Sequence, residues 1–133
     1  MWAFVGVLLL AGNCRAMAKC PAVFVEVHGR ASEDVPGSHV SIQVSPSPNQ
    51  LTEPVAIEGG RFTARIAFDT TKSGGRFSHD CSRTPEVVTV SLVVEQRELD
   101  RVRLEIGRDF RRTDSGDYTL LTDVTLRPAG SRR

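Results

Sequence analysis

Apolar residues recur at every second position along most of this chain. Val23, Val25 and Val27 alternate with Phe24, Glu26 and His28, and Val40, Ile42 and Val44 alternate with Ser41, Gln43 and Ser45. The same period returns in Phe62-Ala64-Ile66-Phe68, in Val88-Val90-Leu92-Val94, in Val102-Leu104-Ile106 and in Tyr118-Leu120-Thr122-Val124-Leu126. A period of two sends alternate side chains to opposite faces, so each run predicts a strand with one side on a core. These are six strands, and a short seventh is expected over 55–57. No segment sustains an apolar rhythm of three and four residues over three turns; 99–106 fits the strand period better than the helical one.

Turn residues separate the runs. Asp34-Val35-Pro36-Gly37, Pro46-Ser47-Pro48-Asn49, Gly59-Gly60, Ser73-Gly74-Gly75 and Asp114-Ser115-Gly116-Asp117 each carry the dihedral constraint or freedom that ends a strand. Gly59-Gly60 suits a tight hairpin, and the connection at Glu95-Gln96-Arg97-Glu98 is expected to be another, although it lacks glycine. Many short strands with polar turns predict an all-β fold, a seven-stranded Greek-key-like β-sandwich in which each sheet buries one face against the other.

The two ends read differently. An apolar stretch from Val5 to Ala11 leads into Ala16-Met17-Ala18, the form of an export signal with a small-x-small cleavage site, although no Lys or Arg precedes it. The stretch is well short of the ~20 apolar residues that cross a bilayer, so no stable membrane insertion is expected. The expected division is a signal peptide over 1–18, a sandwich domain over 19–127 and a flexible tail over 128–133. Lipidation at Cys14 is the alternative, because Leu10-Ala11-Gly12-Asn13-Cys14 resembles a lipoprotein box; Asn13 stands where processing wants a small residue. The domain is expected to be secreted or periplasmic, or, in the alternative, anchored as a lipoprotein through Cys14. Cleavage after Ala18 leaves Cys20 and Cys81, which an oxidising compartment predicts to be one disulfide.

The whole chain has seventeen basic and sixteen acidic residues, and loss of Arg15 with the leader leaves the two balanced. Arg97, Arg101, Arg103, Arg108, Arg111 and Arg112 are interleaved with Glu98, Asp100, Glu105 and Asp109, which reads as a solvated mixed face. A nucleic-acid partner, which needs unopposed positive charge, is therefore not expected.

The stretch over 25–44, Val-Glu-Val-His-Gly-Arg-Ala-Ser-Glu-Asp-Val-Pro-Gly-Ser-His-Val-Ser-Ile-Gln-Val, followed by Gly59-Gly60-Arg61-Phe62, resembles the carboxypeptidase regulatory-like or transthyretin-like domains. The shared pattern is a strand ending in Gly, an acidic turn with Pro-Gly, a small-x-Val start to the next strand, and a glycine hairpin ahead of an aromatic residue. Gly29 is expected to let the backbone leave its strand, Pro36-Gly37 to set the turn, and Phe62 to plug the core. The likeness covers the first half of the domain; Ile57-Glu58 stands where the family often has Thr-Asp, and the segment over 72–85 reads as an insertion. It implies a seven-stranded sandwich that accompanies other proteins as a non-catalytic module, and it brings no catalytic residue.

Candidate chemistry is sparse. His79-Asp80-Cys81-Ser82 contains the residue types of a hydrolase, but neighbours on an extended chain point to opposite sides, so the stretch reads as a polar loop around a disulfide. His28 and His39 close one strand and open the next; paired as a hairpin, they form the alternative site, holding copper or zinc with Glu26, Glu33 or Asp34. Sugar binding, a further alternative, relies on exposed Trp or Tyr rings; Trp2 lies in the leader and Tyr118 is in register with the core. Phe24, Phe77 and Phe110 fall off the core register and form a candidate patch for a protein partner. The expected function is an exported, non-catalytic binding or structural module of the cell envelope, without a cofactor, whose partner is an envelope or extracellular protein. The oligomeric state is left open.

Overall fold

The structure, a computed structural model, describes residues 20–32, 34–46, 54–71 and 81–128. Residues 1–18 with Cys14, and Glu33, Phe77, His79 and 129–133, lie outside the described residues. Eight strands and one helical turn follow in order: β1 (Val23–Ala31), β2 (His39–Ser45), β3 (Arg61–Phe68), β4 (Val87–Val94), β5 (Arg97–Glu105), α1 (Ile106–Asp109), β6 (Phe110–Arg112), β7 (Tyr118–Leu120) and β8 (Val124–Leu126). One sheet has the order β3-β1-β7-β6, with β8 also pairing β1; the other has the order β2-β4-β5. The chain is an all-β sandwich of two packed sheets.

The core is the alternating set read from the sequence. Val25, Val27, Val40, Ile42, Val88, Val90 and Leu92 are fully buried, and Phe62, Phe68, Tyr118, Leu120, Val124 and Leu126 pack with them. These residues supply the apolar burial, at roughly 25 cal/mol per Å², that holds the sheets face to face.

Strand count and three local details differ from the sequence expectation. There are eight strands, not seven, because 118–126 is broken: Leu121, Thr122 and Asp123 step out to solvent between β7 and β8. An unbroken strand would bury the Thr122 hydroxyl among apolar residues, which costs about 1–3 kcal/mol without a partner. A further strand forms at Phe110, and 55–57 contributes only a bridge from Val55 to Val40. Phe110 is therefore in the core, 7% exposed, and not on a surface patch.

β1 pairs β3 antiparallel over its length, and its other edge is divided between two parallel partners: Val25 and Glu26 face β7, and Gly29 to Ala31 face β8. Gly29 does not turn the chain out of the strand. It stays in β1, opposite Phe62, and its missing side chain leaves room for β8: a Cβ there would lie 2.2 Å from the Val124 carbonyl oxygen and 3.0 Å from the Phe62 ring. The glycine turns behave as their residues dictate, and one turn does without glycine. Gly37 has φ +80° beside Pro36, Gly59 and Gly60 have φ +62° and +73°, and Glu95 and Gln96 adopt φ 48° and 65° in a two-residue β4–β5 hairpin without glycine.

Cys20 and Cys81 form a disulfide, Cα atoms 5.5 Å apart and 61 residues apart in sequence, tying the start of β1 to the segment ahead of β4. Thr70 Oγ1 donates to the Pro21 carbonyl at 2.9 Å beside it. No described helix is long and apolar enough to cross a membrane.

Two stability outcomes are expected. Gly29→Ala should lower stability by about 2 kcal/mol or more, because the atom it meets is backbone and cannot swing aside; urea denaturation measures it, and an unchanged midpoint would refute the close approach of β8. Replacing Cys20 and Cys81 together by Ala should cost about 4 kcal/mol, the loop-closure entropy of a ring of this length, read from the same titration against wild type.

Candidate functional site

The two long sides of the sandwich are unlike. On one, 54–58 crosses between the sheets, with Val55 bonded to Val40 in both directions (2.8 and 3.0 Å) and Glu58 to Arg61 (2.8 and 3.1 Å). On the other, β5 and the β7–β8 step stand apart around a cleft of about 430 Å³. Val102 and Leu104 form one wall, Leu120 and Val124 the other, and Leu121 and Asp123 lie on the step that borders it.

Hydrogen bonds brace both ends of this cleft. At one end the Leu121 N–H donates to the Asp109 carbonyl at 2.9 Å. The Asp109 carboxylate accepts from the Glu105 N–H at 2.8 Å and from the Arg108 guanidinium at 3.0–3.2 Å, so α1 is locked where it holds the step. At the other end the buried Asp100 carboxylate accepts the Arg127 N–H and the Arg101 N–H, both at 2.8 Å, linking the chain beyond β8 to β5. Between the braces, among the described residues, no strand pairs across the opening. Leu121 is 58% exposed, the one large apolar side chain among the described residues that stands in solvent. The volume lies within the range of small ligand pockets.

The Arg108 hydrogen bond, followed by that from Glu105, holds the Asp109 carboxyl below its ordinary value, and the same contact raises the Arg108 guanidinium. A depressed carboxylate contributes stability that is present above the unfolded-state value, near 3.9 for Asp, and is lost as pH falls through the folded-state value.

The residues singled out from the sequence are scattered. His28 and His39 do not converge: β1 and β2 belong to different sheets, so the hairpin that would join them does not exist. His28 instead bonds through Nδ1 to Asp123 on the step. That pair has the first two parts of a histidine-based hydrolase, but among the described residues no hydroxyl or thiol is hydrogen-bonded to the ring, and no group of three or more His, Cys, Asp or Glu is placed to hold a metal. The Cys81 thiol is consumed in the disulfide. Phe24 is half-buried under Arg65, whose guanidinium lies 3.7 Å from the ring centre. Tyr118 is buried with Arg112 over it, so it offers no face to a sugar.

Sequence reasoning missed the cleft, because Leu121 and Asp123 read as the outward positions of one continuous strand. The only signal was Thr122, a polar residue in an otherwise apolar register. The fold and this site define a two-sheet β-sandwich with one open side, where Arg108, Asp109, Thr122 and Thr125 line the cleft together with the apolar residues. Comparison with family models, curated proteins and solved structures returned no match.

Asp109→Asn should lower thermal stability at pH 7, and the gap to wild type should begin to narrow as pH falls below about 4, where the unfolded chain takes up its proton, and close at lower pH as the folded carboxylate is neutralised. Melting curves from pH 7 to 2.5 measure it; a gap that stays constant would remove Asp109 from the bracing.

Proposed function

We propose that this protein is an exported, non-catalytic β-sandwich module that binds an envelope or extracellular protein through the cleft between β5 and the β7–β8 step. The observation that carries the reading is the braced cleft itself: Leu121 on its border, with Val102 and Leu104 in its wall, offers contiguous apolar surface that a docked partner would bury. The disulfide supports folding in an oxidising compartment, and the apolar run ahead of Ala16-Met17-Ala18 supports export. The resemblance of 25–44 and 59–62 to the transthyretin-like domains supports an accessory role, since such domains accompany other proteins.

A protein partner is favoured over a sugar, because the described residues around the cleft include no aromatic ring on which a pyranose stacks. It is favoured over catalysis, because among the described residues no hydroxyl or thiol is bonded to the His28–Asp123 pair.

Site-specific photocrosslinking in the native host tests the reading. A photoreactive residue at Leu121 should give one discrete adduct with another protein, whereas the same residue at Gln43, on the outer face of the opposite sheet, should give none. Equal labelling at both positions, or no adduct at Leu121, would overturn it.

A further inference from the structure

We propose that the outer face of the five-stranded sheet carries a second binding site, at Arg30 and Arg61, for a small tetrahedral oxyanion of the phosphate or sulfate type. The register places Arg30 of β1 directly opposite Arg61 of β3, both exposed. The Ala31 N–H donates to the Gly60 carbonyl at 3.0 Å. The pair next along is therefore hydrogen-bonded, and Arg30 and Arg61 form a non-hydrogen-bonded pair, the kind whose side chains approach most closely, with Cα atoms about 4.5 Å apart.

Two guanidinium groups thus start side by side, always charged. Elsewhere on this face the charge is answered: two rows along, Arg65 has Glu26 at 3.5 Å and Asp117 at 3.4 Å. At Arg30 and Arg61 it is not. Among the described residues neither arginine has an ion-pair partner. Glu58 meets Arg61 through backbone bonds in the Gly59-Gly60 hairpin, but its carboxylate forms no ion pair there, and Asp123 is engaged by His28. His28, two residues before Arg30 on the same face, is held by Asp123, and hydroxyls flank the pair: Thr125 of β8 pairs with Arg30, and Thr63 follows Arg61 on the same face.

Like charges directly opposite one another destabilise a sheet. An oxyanion between the two forks removes that repulsion, accepts paired N–H bonds from each guanidinium and takes further bonds from the hydroxyls. The chain as a whole is close to neutral, so the site is a local arrangement of donors and not the product of a long-range field. It lies on the outer face of the sheet, and its fate is independent of the cleft.

The test uses the whole domain, inorganic phosphate and sodium chloride at matched ionic strength. In wild type, phosphate should raise Tm beyond the chloride control and shift the Arg Nε–Hε resonances saturably, by NMR. Arg30→Gln and Arg61→Gln should each weaken that binding by about tenfold or more, while Arg111→Gln, on β6, should leave it intact. In phosphate-free buffer of low ionic strength, Arg61→Gln should melt at or above wild type, because the repulsion is gone. The proposal is overturned if the shifts do not saturate, if Arg111→Gln loses the response as fully as Arg30→Gln, or if Arg61→Gln melts below wild type in that buffer.

Discussion

The divided edge of β1 is the constraint on which the rest of this structure depends. A strand has two edges; β1 gives the whole of one to β3 and shares the other between β7 and β8, both parallel to it. The sharing is possible because residue 29 is glycine, and the β8 backbone passes where any side chain would sit. With β7 fixed at Val25 and β8 fixed at Gly29, the chain between them steps aside, and Leu121, Thr122 and Asp123 leave the sandwich.

That step links fold to function. It turns Leu121 into solvent, aims Asp123 at His28, and leaves β5 without a partner across the open side. The sandwich does not collapse over the gap, because Asp109 and Asp100 hold its two ends through backbone hydrogen bonds. Carboxylates that accept backbone N–H groups are strong, directional braces: that of Asp100 spans one end of the opening, and that of Asp109 fixes α1, whose Asp109 carbonyl holds Leu121 at the other.

Much of this fold was legible from alternation alone. The first five long strands, the glycine hairpin, the Pro36-Gly37 turn and the Cys20–Cys81 pair follow from residue types that leave the backbone little choice. Strand pairing was not legible in the same way. Nothing local to His28 and His39 tells that their strands enter different sheets, and nothing local to Phe110 tells that a three-residue strand beside β7 carries it inward. The cleft escaped for the same reason. Period two survives from Tyr118 to Leu126 with Thr122 as the one polar residue in the register, a faint sign of a break that arises from the geometry of β1 some ninety residues earlier. Gly29 shows the limit most clearly: its importance was visible, but as a site of bending, when its role is to admit a neighbouring backbone.

The most direct measurement of this account is a set of inter-strand nuclear Overhauser effects in the isotopically labelled domain. The account predicts parallel-type contacts from Val25 to Tyr118 and from Gly29 to Val124, with Thr122 showing none to the core. A continuous strand over 118–126 with the Thr122 methyl against Val25 or Val27 would contradict it.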